Sequence, residues 1–358
     1  MATLITGATG TVGAELAVRL LEQGERVVAL VRADGESAEA RMARVLGTRY
    51  ERELDPSLIR VVAGDLAVAG LGLDERDLGH VLEEVDAIIH SGATVRFDLP
   101  LLDALAINTV GTKRVLELAR AIRATGALRR VTLVSTAFVA GEFGGRFHEH
   151  DLDVSQGFRN TYERSKYESE CLAEEHADLP LITIRPSIIV GERHSGWTPT
   201  FNVIYPPLRA FARGLLENVP LDPNGRLDIV PLDYVGDATL ALHRHDGASG
   251  RYHLVAGVLA PTNRELVDLV CGSFHRDPPR LTGSDDRLGE LAPYLSVRTV
   301  FDDSRARALL TELGLQAPPI DVYFDRLLAY AEDTRWGREP TSRAEARRRH
   351  PAPVGAAA

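Results

Sequence analysis

Short apolar runs alternate with longer amphipathic stretches through the first half of the chain. Leu4-Ile5 precedes a glycine-rich turn, after which Val12–Gln23 carries apolar residues at helical spacing. Arg26–Val31 is a β-branched run of strand length, and Ser37–Glu53 is a charged stretch with a helical period. Ile59–Ala63, Ala87–His90, Val131–Ser135 and Leu181–Arg185 are further apolar runs of strand length. Between them Asp74–Glu84, Leu101–Ala124 and Ser155–Ala177 read as helices. Strands alternating with helices form βαβ units, so the pattern predicts an α/β fold: a doubly wound parallel sheet with helices on both faces.

Past Val190 this rhythm breaks. Pro199, Pro206, Pro207, Pro220 and Pro223 arrive close together with Gly214 and Gly225, and the segments shorten. The change predicts a first domain over 1–190 and a smaller, interwoven C-terminal lobe over 191–340, with parts of 225–255 returning to the first sheet. The Arg- and Ala-rich tail, 341–358, is expected to be mobile. No internal repeat is visible.

Composition narrows the class. The chain has 358 residues, 44% hydrophobic and 26% charged, which is ordinary for a globular protein with a sizeable core. Its formal net charge of −10 argues against general nucleic-acid binding, which needs a basic face. Two cysteines, Cys171 and Cys271, can build neither a zinc cluster nor a disulfide scaffold, and a reducing compartment follows. Met1–Thr6 carries no basic leader and enters structure at once. No apolar run approaches the ~18 residues that suggest a membrane span, and the apolar segment Leu181–Val190 is broken by Arg185. A cytoplasmic protein without a membrane span is expected.

Candidate chemistry begins at Thr6-Gly7-Ala8-Thr9-Gly10-Thr11-Val12-Gly13, which follows a strand and opens a helix. Glycines there allow a tight turn, backbone approach to a diphosphate and close helix–strand packing, while the helix dipole favours the anion. Thr6, Gly7, Gly10, Thr11, Val12 and Gly13 are therefore candidate dinucleotide ligands on a Rossmann-type sheet. At the end of the second strand an acidic residue suits a ribose 2′-hydroxyl and an arginine a 2′-phosphate. Arg32 stands there, with Arg41 on the following helix, so NADPH is favoured over NADH.

Tyr162 and Lys166 lie four residues apart, on one face of a predicted helix. A phenol near its usual pKa of about 10 is a poor acid–base catalyst until a cation lowers it. Ser135-Thr136 ends a strand upstream. The spacing Gly-x-x-Gly-x-x-Gly, the strand-end hydroxyls and Tyr-x-x-x-Lys together resemble the extended short-chain dehydrogenases/reductases. That resemblance implies Thr136 as the catalytic hydroxyl, with Ser135 as the fallback, beside Tyr162 and Lys166. It also implies cofactor contacts from Asp65-Leu66 after the third strand, Ser91-Gly92-Ala93 after the fourth, Asn108 on the following helix, and the Arg185-Pro186-Ser187-Ile188 turn through Pro186 and Ile188.

Within that branch, several stretches resemble the thioester reductases of the male-sterility type, which include fatty acyl-CoA reductases and the terminal reductase domains of carboxylic acid reductases and peptide synthetases. They are His90-Ser-Gly-Ala-Thr-Val-Arg-Phe97, Val134-Ser-Thr-Ala-Phe-Val-Ala-Gly141, Ile184-Arg-Pro-Ser-Ile-Ile-Val-Gly191 and Leu227-Asp-Ile-Val-Pro-Leu-Asp-Tyr-Val235. The phosphate loop departs from them, with Thr11-Val12 where an aromatic residue is usual. The resemblance implies an NADPH-dependent reductase of an acyl-CoA or acyl-carrier-protein thioester, giving an aldehyde or alcohol, as a monomer or homodimer; with no adenylation or carrier domain before residue 1, a free-standing enzyme is expected. An oxidoreductase or epimerase of ketones, alcohols or nucleotide-sugars is the alternative, and a non-catalytic NADP sensor is the third reading. No metal site is expected: His90 ends a strand, and His148, His150, His243 and His245 lack companions at metal spacing. Trp197 is expected to pack the second lobe. Arg347–Arg349 is expected to be solvated, with contact to an acidic carrier protein as the alternative.

Overall fold

The structure is a computed structural model that describes residues 1–126, 128–282 and 286–351. In chain order its first half contains β1 (Ala2–Thr6), α1 (Thr11–Glu22), β2 (Val27–Val31), α2 (Ala38–Tyr50), β3 (Ile59–Ala63), α3 (Glu75–Glu84), β4 (Val85–His90), α4 (Leu101–Ala124), β5 (Arg130–Val134), β6 (Arg146–Phe147), α5 (Thr161–Glu174) and β7 (Leu181–Pro186). The second half adds β8 (Ile188–Val190), α6 (Tyr205–Ala212), β9 (Ile229–Pro231), α7 (Leu232–Arg244), β10 (Gly250–Leu254), α8 (Asn263–Phe274), β11 (Val300–Phe301), α9 (Ser304–Glu312), α10 (Phe324–Asp333) and α11 (Arg343–Arg349).

Seven strands make one parallel sheet in the order β10-β7-β5-β4-β1-β2-β3. Successive side chains of a strand point to opposite faces, and the sequence exploits this on both sides. Val28 and Leu30 join Leu4, Ile88 and Val115 in the core under one helical layer. Val27, Ala29 and Val31 join Ile5, Leu16 and Met42 under the other. Because both faces are covered, β1 and β2 are buried at every position. The chain winds outward through β2 and β3, then returns to β4 and winds the other way. A crevice therefore opens beyond the carboxyl ends of β1 and β4, where such sheets bind ligands.

The second lobe reaches into this framework. β10 adds the last strand of the sheet, pairing Tyr252 with Ile184 of β7. Two short ladders, β8 with β9 and β6 with β11, tie the lobe to the sheet domain. Its apolar core gathers Phe147, Leu208, Phe211, Leu227, Leu295 and Phe324 from widely separated stretches.

Three expectations need correction. The helix predicted from Ser155 starts at Thr161: Ser155 sits at φ 60, and the Asn160 side chain caps the helix by accepting from the Glu163 N–H. Part of the tail expected to be mobile is the helix α11, whose Arg343 is buried in ion pairs with Glu15 and Glu22; residues 352–358 lie outside the described residues. Trp197 packs in the sheet domain's core, edge-on to Tyr50 of α2 at 5.3 Å, because its loop folds back over that domain.

Candidate active site

The glycine-rich turn is shaped by close approach. Gly7 has φ +69, and a Cβ there would lie 2.6 Å from the Gly92 backbone. A Cβ at Gly13 would come within 2.2 Å of the Gly7 carbonyl and 2.6 Å of the Ser91 hydroxyl. Gly10 N–H donates to the Gly7 carbonyl at 2.8 Å, closing the turn. No side chain caps α1, so the first-turn N–H groups of Thr11, Val12 and Gly13 face the crevice with the positive end of the helix dipole. A glycine cradle at an uncapped helix start fits the diphosphate of a dinucleotide.

Across the seam, the ends of β1 and β4 are fastened to each other. The Ser91 hydroxyl donates to the Thr6 carbonyl at 3.0 Å, and Gly92 N–H donates to the Thr6 hydroxyl at 3.2 Å. His90 is buried with its two ring nitrogens against Thr6 (2.6 Å) and Thr112 (3.1 Å). Burial, helped by the Lys166 charge, pushes its pKa down to about 3, so it stays neutral. It is a structural pin between strand and helix.

A cleft of about 390 Å³ runs from this turn to the carboxyl ends of β5 and β7. Gly10, Thr11, Val12, Gly13, Ser91 and Ala93 line one part of it, and Ser135, Thr136, Tyr162, Lys166, Pro186 and Ile188 another. Thr136 is extended at the end of β5, and its oxygen accepts from the Phe138 N–H at 3.2 Å. Tyr162 and Lys166 sit on the first two turns of α5, the helix started by the Asn160 cap. Lys166 Nζ donates to the Val134 carbonyl at 2.7 Å.

Burial sets the charge states here. It pushes the Tyr162 phenol up to about 12, with the Thr136 hydroxyl opposing the rise. The phenol is therefore a protonated donor at neutral pH, and the sequence expectation that Lys166 lowers it does not match this site. Burial also brings the Lys166 ammonium down to about 8, with Glu170 opposing. The two strand-end hydroxyls differ. The Ser135 oxygen is buried without a hydrogen-bond partner among the described residues, near the Glu170 carboxyl, which burial would raise but Arg185 and Arg251 hold below the usual range. Thr136 is the hydroxyl that bears on the phenol, and it donates to the Pro186 carbonyl at 3.4 Å.

The remaining sequence candidates stand outside the cleft lining. Arg32 is solvent-exposed at the end of β2 and pairs with Asp34, while Arg41 donates to its carbonyl at 2.9 Å. The Asp65 carboxylate accepts from the Ala67 N–H. The Leu66 side chain packs so close to Gly92 that a Cβ there would meet its Cδ1 at 2.8 Å. Asn108 is buried and bonds both the N–H and carbonyl of Thr94 and the Ser165 hydroxyl, tying α4 to α5 instead of facing the cleft.

Other cleft residues escaped the sequence reading. Phe97 stacks on Tyr162 at 5.9 Å, and Tyr294 packs edge-on to Phe138 at 4.9 Å. Thr200, Asn202 and Val203 line the cleft from the loop after β8. The aromatic residues were visible in sequence, but no local spacing announces that Tyr294 reaches a site built more than a hundred residues earlier.

Comparison with known proteins agrees with this geometry. The chain is 34% identical over 281 residues to a carboxylic acid reductase of Segniliparus rugosus, covering 68% of this chain and 23% of that one. It is 28% identical over 272 residues to the fatty acyl-CoA reductase wat of Drosophila melanogaster, covering 66% and 53%. The chain thus spans about a quarter and about half of these relatives. Among solved structures, the terminal R domain of the myxalamid PKS-NRPS pathway superposes with a TM-score of 0.79 at 25% identity, covering 95% of this chain and 92% of that one. A thiolation-reductase di-domain from an archaeal non-ribosomal peptide synthetase shares the fold, with a TM-score of 0.77 at 18% identity over 94% and 76%. Residues 5–239 match the male sterility protein family of NAD-binding domains, and the chain belongs to that family.

Proposed function

We propose that the chain is an NADPH-dependent reductase of an acyl thioester, presented by coenzyme A or an acyl carrier protein. The observation that carries this reading is the convergence of Thr136, Tyr162 and Lys166 on a cleft whose other end is the uncapped, glycine-lined start of α1. The relatives' names, carboxylic acid reductase and fatty acyl-CoA reductase, support the substrate class. Arg32 and Arg41, together at the end of β2, support a 2′-phosphate and hence NADPH. Two free cysteines suit a reducing cytoplasm.

Bound in this cradle, the dinucleotide supplies a hydride. Thr136 and Tyr162 donate hydrogen bonds to the thioester carbonyl oxygen as negative charge develops on it, and Tyr162 then gives that oxygen its proton. The Lys166 ammonium holds ribose hydroxyls and favours the transient phenolate. The hemithioacetal breaks its C–S bond to release an aldehyde and a free thiol, and a second reduction gives the alcohol. Residues 191–340 hold the acyl group: α6 and α8 border an apolar cavity of about 90 Å³, with Leu208 and Val270 in its wall.

A panel of acyl-CoA and acyl-pantetheine thioesters tests this reading. NADPH oxidation with matching thiol release is the expected result, with NADH the poorer donor. Failure of every thioester to oxidise NADPH overturns it.

A further inference from the structure

The loop after β8, residues 191–203, crosses the mouth of the cleft without helix or strand of its own. It brings Thr200 Oγ1 to 3.4 Å from Thr11 Oγ1, the first residue of the uncapped helix α1. The two hydroxyls thus meet beside the N-terminus of α1, the place that suits a diphosphate. Asn202, two residues on, lines the same cleft.

What holds this loop comes largely from the other end of the chain. Inside the loop, buried Glu192 accepts from the Ser195 hydroxyl at 2.8 Å. From outside, Arg347 of α11 grips both Glu192 oxygens, at 3.1 and 2.7 Å. Trp197 Nε1 donates to the Thr341 carbonyl at 3.1 Å, and Arg326 donates to the His194 carbonyl at 2.6 Å. One turn earlier on the same face of α11, Arg343 donates to both oxygens of Glu15 at 3.2 Å. Glu15 belongs to α1, the helix that begins at the phosphate loop. Arg19 shares Glu15, and the Arg343 guanidinium lies over the Tyr50 ring at 4.9 Å. A single short helix therefore fastens both walls of one end of the cleft, α1 through Arg343 and the crossing loop through Arg347.

We propose that Thr200 and Asn202 belong to the dinucleotide site, with Thr200 a second hydroxyl donor to the diphosphate opposite Thr11, and that α11 is a clasp holding them in place through Arg347 and Glu192. Arg347 is a positioning residue: it touches the loop and not the cofactor. The chemistry recognised is an anionic diphosphate, so adenosine 2′-phosphate, which has none, is indifferent to Thr200.

NADPH binding to the purified chain, followed by nucleotide fluorescence without any acyl substrate, provides the test. Thr200→Val keeps the shape and removes the donor, and weakens NADPH binding about tenfold, as expected for one charge-assisted hydrogen bond. Its melting temperature and its affinity for adenosine 2′-phosphate stay at the parent values. Arg347→Ala weakens NADPH binding, and Arg347→Lys recovers most of the loss. In the Thr200→Val background Arg347→Ala adds less than it does alone, because part of its effect runs through the Thr200 donor and only the part through Asn202 is left. Unchanged NADPH affinity in Thr200→Val overturns the diphosphate contact. A full additional loss from Arg347→Ala in that background overturns the clasp and leaves α11 a purely structural helix. These readouts need no turnover, so they stand or fall separately from thioester reduction.

Discussion

The sheet domain and the C-terminal lobe are built by different physics. In the sheet domain, neighbours in space are mostly neighbours in sequence order: β1, β2 and β3 lie side by side, and alternate residues of each strand feed two apolar cores. The lobe and the tail helix after it collect their partners from far apart, with Tyr294 against Phe97, Arg347 on Glu192 and Arg343 on Glu15. Regular hydrophobic periodicity makes a scaffold that tolerates a precise turn such as Gly7–Gly13. Buried charges and aromatic edges then place the other wall of the cleft against it. Each mode has its own failure: the scaffold breaks by steric intrusion, and the long-range contacts break by orphaning a buried charge.

The largest effect should come from the chemistry rather than either scaffold. Tyr162→Phe removes the proposed proton donor and should lower kcat about a thousandfold, within the usual range for general acid catalysis. NADPH affinity and melting temperature stay near parent values; retained turnover would show that the phenol is not the donor.

Next comes the buried charge joining the two regions. Arg185, fully buried on β7, donates to both Glu170 oxygens, to the Asp151 carbonyl at 2.8 Å and over the Phe147 ring. Arg185→Met leaves Glu170 with Arg251 as its remaining partner and should cost about 3 kcal/mol, near the low end for breaking a buried pair. Urea unfolding measures this, and a loss under about 1 kcal/mol would mean that Arg251 compensates.

Steric intrusion into the turn ranks lower. Gly13→Ala puts a methyl group against the Gly7 carbonyl, with a stability cost of about 1–3 kcal/mol and weaker NADPH binding. Gly47→Ala is the control, since nothing lies within 4 Å of a Cβ there. Equal behaviour of the two variants would sink the close-packing account.

The smallest effect is a pH dependence. Burial lowers the Lys166 ammonium to about 8, so turnover that needs its charge falls as pH rises through 8. The sign for stability is opposite. The unfolded amine keeps its proton to about 10.5, so between pH 8 and 10.5 the unfolded state binds more protons and Lys166 contributes increasing native stability. A pH–rate profile of kcat/KM flat from 7 to 10 would remove Lys166 from the charged machinery.

Much of this site was legible in the sequence because its parts are local. The glycine turn, Tyr162 with Lys166, and the strand-end hydroxyls are each defined by spacing within a strand, a turn or one helix face. Asn108 was legible as the structural asparagine of its helix; the folded chain adds the partners, with its amide spent on Thr94 and Ser165. The Tyr162 acidity was misjudged for a similar reason: burial, which no spacing reveals, raises the phenol, with Glu163 adding to the rise and the Thr136 hydroxyl opposing it. Arg347–Arg349 are exposed, as the sequence suggested; what it could not show is that the tail is fastened, because the acidic partners of Arg343 and Arg347, Glu15, Glu22 and Glu192, lie at least 155 residues away.

By itself the sequence determined the α/β class, the phosphate turn and the Tyr-Lys pair. Hydrophobic period and glycine freedom act over a few residues, and so they are written in the order of the chain. Tertiary structure decided which strand-end hydroxyl meets the phenol, the charge state of Tyr162 and Lys166, and the docking of α11 across the cofactor end of the cleft. Those outcomes depend on desolvation and on charges meeting across the fold, quantities that exist only once distant segments have excluded water from one another.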